Sequence, residues 1–229
     1  MSEAVVHLPA ARAEVPSPAA DTTSFGERIA LIRPPCFWPA LPGKPPLSLT
    51  ERSGLIRLVE TIPGACSAET MVAFMEALRH APAGDIVEIG AGGGRSAALL
   101  VWLARRYQIG AVLCLDDWTD AALADFEIAL APLAEGGLNY GRDIAGYRQD
   151  LAVTTNVFGE TRYAGRIALL HLAASAADLP SWLPAMAGGG WVVVSGARGA
   201  SADGFPPPAR DRVACSFTAG DALFVQLKR

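Results

Sequence analysis

Short, nearly continuous apolar runs recur through the chain after residue 80, each bounded by glycine, proline or acidic positions. The runs at Asp85–Ile89, 111–115, Ile167–Leu172 and 191–195 are too short for helices and show little polar alternation, as expected of strands buried on both faces. Between them the apolar period lengthens. Met71, Val72, Phe74, Met75 and Leu78 fall at helical spacing after a candidate N-cap at Ser67, and Pro82 and Gly84 stop that helix. Arg95–Tyr107 is free of glycine and proline and predicts a second helix, residues 121–134 a third, and residues 181–186 a short one ahead of the glycines at 188–190. Residues 136–146 read as a loop leading to a strand near 147–151. At the end of the chain, 213–217 and Ala222–Leu227 flank a four-residue turn and predict an antiparallel pair. The pattern as a whole predicts an α/β fold: a Rossmann-like three-layer sandwich whose mostly parallel sheet is closed by a C-terminal antiparallel hairpin.

The region ahead of these elements is different in kind. Residues 1–24 mix Ala, Pro and Ser with scattered acids and lack a basic start followed by an apolar core, so they read as a disordered tail rather than a signal peptide. Prolines at 34, 35, 39, 42, 45 and 46 break any helix through 28–46 and predict an extended arm. Phe37 and Trp38 would anchor that arm by packing on the main domain, by lining a substrate entrance or by touching a second subunit. The expected division is therefore a tail at 1–24, a proline-rich arm and linker at 25–62, and one Rossmann-like domain at 63–229.

Composition narrows the partners. A net charge of -4 without a dense basic cluster offers no footprint for nucleic acid, and no apolar run is long enough to span a bilayer. Four scattered cysteines, none in a CxxC pair, suit reduced thiols in a cytoplasmic protein rather than a disulfide framework.

The sharpest chemical signal is the run VEIGAGGGRS at 87–96, which follows a strand and opens a helix. Glycines at 90, 92 and 94 let the chain leave the strand through conformations costly to other residues and let a ligand approach the backbone beside the positive helix end. A dinucleotide fingerprint would place its last glycine at 95, where Arg95 stands, and a phosphate P-loop would need Gly-Lys-Ser/Thr, which is absent. Asp116 closes the second strand 22 residues after Gly94, near the separation of a ribose-binding carboxylate, with Asp117 as its neighbour and rival. A cofactor-free tight turn is the alternative reading of the loop. Together these features point to S-adenosylmethionine as cofactor, with Glu88, Gly90, Gly92, Gly94 and Asp116 as its contacts. Glu88 would support either the loop or the ligand's amino group.

From residue 62 onward the sequence resembles class I S-adenosylmethionine-dependent methyltransferases, in particular the small-molecule and sugar O-methyltransferase group. The resemblance is carried by IPGACS at 62–67, VEIGAGGGRS at 87–96, LDDW at 115–118, RIALLHL at 166–172 and GGWVVV at 189–194. It implies a small hydroxylated acceptor such as a sugar or tailoring intermediate, and leaves homo-oligomerisation open. It makes His171 the strand-end histidine and the candidate base, with a packed, hydrogen-bonded core histidine as the alternative. It places Asp150 near where the adenine would lie, with a solvated loop acid equally open, and offers Tyr140 and Asp143 as part of a connection over the pocket. Asp203 matches a loop position of the group, although turn formation suffices for it. The group follows its fourth and fifth strands with acids that hold a divalent metal. Here those positions read AASA at 173–176 and Ser195-Gly196, with Asp178 the nearest acid, so no metal site is expected. Two functions follow: a metal-independent methyltransferase, or a methyltransferase-like binding or regulatory protein that has lost its catalytic acids.

Overall fold

The computed structural model describes residues 24–32, 44–135, 144–148, 167–173, 179–196 and 201–229. Seven strands form one sheet: β1 (Asp85–Ile89), β2 (Val112–Asp116), β3 (Ile144–Arg148), β4 (Ile167–Leu172), β5 (Met186–Val194), β6 (Val213–Ala219) and β7 (Ala222–Leu227), in the order β3-β2-β1-β4-β5-β7-β6. The first five pair in parallel, and β7 runs antiparallel to both β5 and β6. The expected Rossmann-like sandwich with its terminal hairpin is the fold observed.

Strand periodicity divides the apolar residues between two cores. Ile86, Val112, Cys114, Trp191, Val193 and Phe224 face one layer, and Val87, Ile89, Leu113, Leu115, Val192 and Val225 face the other. The first layer is built from α2 (Leu49–Glu60), α3 (Ala68–Arg79), α4 (Arg95–Tyr107) and α5 (Asp120–Glu135). The second, among the described residues, is built from the short α6 (Leu179–Trp182), the 3-10 turn Leu183–Ala185, the 3-10 turn Ala202–Gly204 and α7 (Pro207–Arg210). Both faces of β1, β2, β4 and β5 are covered, which is why their sequences lack polar alternation. No helix among the described residues is long and apolar enough to cross a membrane.

Several elements depart from the sequence expectation: β3 lies at Ile144–Arg148 rather than near 147–151, and the short helix expected at 181–186 is α6 followed by a 3-10 turn. Residues 28–31, expected in an extended arm, instead close α1 (Phe25–Leu31), whose Ser24 and Glu27 form a reciprocal capping box. A helix not anticipated, α2, starts from the same device at Ser48 and Glu51 and buries Leu55, Ile56 and Val59 in the core shared with α3 and α4. Strand β5 begins five residues earlier than expected, because Gly188, Gly189 and Gly190 do not break it but allow a bulge. The partner of Ile167 is Met186 while that of Leu169 is already Trp191, and a Cβ at Gly190 would lie 2.9 Å from the Ala187 carbonyl oxygen. Phe37 and Trp38 lie outside the described residues.

The strand order reverses direction between β1 and β4. From β1 the chain proceeds outward to β2 and β3, then returns to lay β4 and β5 on the other side. In sheets of this kind, a crevice opens at the carboxyl ends of the two strands flanking the reversal. Here those ends are Ile89 and Leu172, and Ala173 N–H donates to the Ile89 carbonyl at 2.9 Å.

Aromatic packing ties the hairpin to this region. Phe224 is fully buried, stacks on Phe217 at 5.1 Å and meets Phe74 of α3 edge-on at 5.1 Å. Phe224→Ala should therefore cost about 3–5 kcal/mol, read as a lower urea midpoint with an unchanged denaturant slope.

Candidate functional site

The backbone leaves β1 through left-handed conformations at Gly90, Gly92 and Gly94, with φ of 84°, 52° and 93°. A Cβ on Gly92 would meet nothing within 4 Å, so the loop presents bare backbone to open space there. Gly93 is constrained from the opposite side: its Cβ would fall 2.7 Å from the Pro63 carbonyl oxygen. Gly94 caps α4 without a side-chain hydrogen bond, leaving the first-turn amides of that helix uncapped by any side chain. The turn is held from above by the segment ahead of α3, where Arg95 Nε donates to the Ile62 carbonyl at 2.8 Å. Ser67 caps α3 as expected, accepting from Thr70 N–H at 3.2 Å.

Asp116 closes the same site from β2. Its Oδ2 accepts from Gly92 N–H at 2.6 Å and its Oδ1 from Asp117 N–H at 2.8 Å, while Trp118 Nε1 donates to the Gly92 carbonyl at 2.8 Å. Of the two neighbouring acids, Asp116 is the one whose carboxylate reaches the loop. Trp118 rests on Phe126 of α5, and Phe126 lies under Gly94. Burial pushes the Asp116 carboxyl above the usual aspartate range, against the opposing effect of its hydrogen bonds from Gly92 and Asp117. Each oxygen accepts one bond and retains a lone pair for a further donor.

Glu88 stands two residues below the turn and is fully buried. Register sets it beside Cys114 on β2 and beside His171 on β4, with Val193 of β5 next in the row. Its Oε1 lies 2.8 Å from His171 Nδ1, and the Cys114 thiol donates to Oε2 at 3.7 Å. Its carboxylate thus engages other protein groups rather than the glycine loop. Burial first, and then the Glu88 charge, push the Cys114 thiol well above its ordinary range. The same two causes, with Asp221 adding and Arg95 opposing, push Cys66 up to about 12. Both shifts disfavour the thiolate, the form in which cysteine is nucleophilic.

His171 is 2% exposed, with Phe74 edge-on to its ring at 5.1 Å. Its Nε2 lies 2.8 Å from Ser195 Oγ, immediately beyond the end of β5. Ser195 is half-buried, and its N–H donates to the Leu172 carbonyl at 2.9 Å, continuing the β4–β5 ladder past Val194. The Ser195–His171 link was not foreseen from the sequence. The two residues are 24 apart and meet only because neighbouring strands end at the same level.

Gly90, Gly92, Gly94 and Asp116 thus meet at the carboxyl ends of β1 and β2, and Glu88 and His171 form a buried row beneath them. Asp150, Asp178, Tyr140 and Asp143 lie outside the described residues. Asp203 sits in the 3-10 turn after Ser201, with its N–H held by the Ser201 hydroxyl at 3.2 Å, as a turn-forming residue would. Among the described residues no three His, Cys, Asp or Glu side chains cluster as metal ligands. A separate hollow of about 390 Å³ along α2 is lined by Leu49, Thr50, Ser53, Gly54 and Arg57 and pairs no acid with a base.

The fold and the site define a Rossmann-like α/β protein with a glycine turn and an acidic strand end at the point of strand reversal. No family model matches the chain, and no curated protein does. Several of the solved structures to which it is similar are described as methyltransferases. They include a putative O-methyltransferase from Klebsiella pneumoniae (14% identity over 76% of this chain and 90% of that one, TM-score 0.49) and the O-methyltransferase TomG from Streptomyces achromogenes, solved with SAM (20% identity, 78% and 89%, TM-score 0.46). A methyltransferase from Geobacter sulfurreducens is similar at 14% identity over 77% and 90%, with a TM-score of 0.49. At such identities and scores the functional reading rests on this chain's own residues.

The raised Asp116 carboxyl gives a signed expectation. A group whose folded-state pKa lies above its unfolded value favours the fold while protonated, and that contribution is lost as pH rises through the folded value. Wild type should therefore lose stability relative to Asp116→Asn as pH rises from the ordinary aspartate range through the raised value. Paired denaturation curves across that range measure the difference.

Proposed function

We propose that this protein is an S-adenosylmethionine-dependent methyltransferase acting on the hydroxyl of a small acceptor, without a metal. The observation that carries the reading is the 2.6 Å bond from Gly92 N–H to Asp116, which draws the acidic end of β2 against the glycine turn at the strand reversal. A nucleoside with a cationic amino-acid tail fits the donor set there. Asp116 offers lone pairs to ribose hydroxyls, the backbone of 90–94 offers a surface without side chains, and the uncapped amides of α4 favour a carboxylate. Asp150 follows β3 by two residues in the sequence and is our candidate for the adenine side. Bound there, S-adenosylmethionine supplies a methyl group made electrophilic by its sulfonium.

The chain's own residues would then orient the acceptor and take up its proton. At the ends of β4 and β5 stand Ala173 and Ser195, and the Ser195 hydroxyl is engaged by His171. A hard divalent cation needs several oxygen ligands, and this donor set does not fit one, so no step is assigned to a metal. His171 is the base we propose.

Titration calorimetry with S-adenosylmethionine and S-adenosylhomocysteine tests the cofactor. Wild type should bind both, and Asp116→Ala should weaken binding by about 10- to 100-fold, the loss expected for hydrogen bonds to a charged acceptor. A folded protein that binds neither overturns the reading. Methyl-labelled cofactor incubated with small hydroxylated acceptors, sugars included, should then yield label on oxygen. Binding without transfer to any of them would favour the binding-protein alternative.

A further inference from the structure

We propose that Ser195, His171 and Glu88 form a proton relay, with Ser195 as the residue that meets the acceptor hydroxyl. The proposal rests on the methyltransferase reading for its purpose, and on geometry alone for its existence.

His171 cannot serve as a base by direct contact. It is 2% exposed, and each ring nitrogen already has a partner at 2.8 Å. An ionised carboxylate only accepts hydrogen bonds, so with Glu88 charged the network assigns the proton to Nδ1 and leaves the Nε2 lone pair facing Ser195 Oγ. Ser195 therefore donates its hydroxyl proton to His171. A hydroxyl that donates one bond keeps two lone pairs, and Ser195 is half-buried rather than enclosed. Those lone pairs are the part of the network open to a donor from outside.

The position suits that task. Ala173 continues β4 beside the turn, where a Cβ on Gly90 would lie 3.2 Å from the Ala173 Cβ, and Ser195 continues β5 on the far side of it. With strands about 4.8 Å apart, Ser195 stands roughly 10 Å from the glycine turn along the same sheet edge. That distance places a small acceptor between a cofactor on the loop and the serine hydroxyl.

The proton balance is complete without any further group. The acceptor hydroxyl gives its proton to Ser195 Oγ as Ser195 gives its own to His171 Nε2. The acceptor oxygen keeps the electron pair of the broken O–H bond as its nucleophilic pair. Ser195 ends as a hydroxyl again, and His171 ends as an imidazolium beside the Glu88 carboxylate. Glu88 acts here as a positioning residue. It orients the ring through Nδ1, and its charge stabilises the cation in a site closed to water. The relay does by proton removal what the absent acids would have done through a metal.

The arrangement can be tested before an acceptor is known. A fluorophosphonate reacts with a serine hydroxyl whose proton has a waiting base: Ser195 Oγ bonds to phosphorus, the P–F bond breaks, fluoride leaves and His171 takes the proton. The folded wild-type protein should be labelled at Ser195, as located by peptide mass spectrometry. Labelling should vanish in Ser195→Ala and fall about 100-fold in His171→Gln, the scale of a lost general base. Should His171→Gln fail to fold, Glu88→Gln provides the second test. It keeps an acceptor for Nδ1 but removes the charge, and should slow labelling about tenfold. A wild-type protein left unlabelled at Ser195, or a Glu88→Gln protein labelled at the wild-type rate, overturns the relay. Calorimetry separates the two readings, since Ser195→Ala should bind S-adenosylmethionine within about twofold of wild type. Intact Ser195 labelling in a protein that binds no cofactor would uphold the relay and overturn only the methyltransferase reading.

Discussion

A carboxylate shut away from water must find its partners inside the protein, and Glu88, fully buried on β1, finds them on the strands to either side. His171 on β4 and Cys114 on β2 reach its two oxygens only because the parallel register places all three in one row. A shift of one residue in either strand would turn Glu88 or its partner to the opposite face and leave a buried charge alone. Such an orphaned group costs about 3–5 kcal/mol, a large fraction of a domain's stability. The polar row therefore does more than occupy the core. It fixes the alignment of β2, β1 and β4, and with it the level at which their carboxyl ends emerge.

That alignment organises the sheet edge. On one side of the reversal point, the ends of β1 and β2 bring the glycine turn and Asp116 within hydrogen-bonding distance. On the other, the ends of β4 and β5 bring His171 to Ser195. Under the proposed function the first half takes the nucleoside and the second takes the proton. Both depend on the same buried row, as Phe74 shows by packing against His171 on one edge and Phe224 on the other. Helix, hairpin and polar row thus share one contact, so damage to the hairpin is felt at the histidine.

The parts of this arrangement that follow from local sequence were legible. Helix Arg95–Tyr107 and strands Asp85–Ile89 and Ile167–Leu172 were read with their observed bounds, because each is a strong apolar pattern framed by glycine, proline or charge. Helix α2 was equally readable from Ser48 and Glu51, whose three-residue spacing is a capping signature, yet the prolines just before it dominated the reading. Strand β3 was placed three residues too late, since Ile144–Arg148 has a weak pattern with a glycine at its centre. The site divided along the same line. The loop glycines and Asp116 follow from motif and spacing within one βαβ unit. The commitment of Glu88 to His171, and of His171 to Ser195, is set by pairing between strands more than 80 and 24 residues apart, which no local pattern contains.

The account stands or falls on what occupies the edge between Gly92 and Ser195. A crystal structure of the protein with S-adenosylhomocysteine measures this directly. The account predicts the ribose hydroxyls on Asp116, the amino-acid portion along the 90–94 backbone, Glu88 still bonded to His171, and the sulfur facing the space in front of Ser195 Oγ. A ligand bound away from the glycine turn, or a Glu88 carboxylate drawn off His171 to hold it, would contradict it.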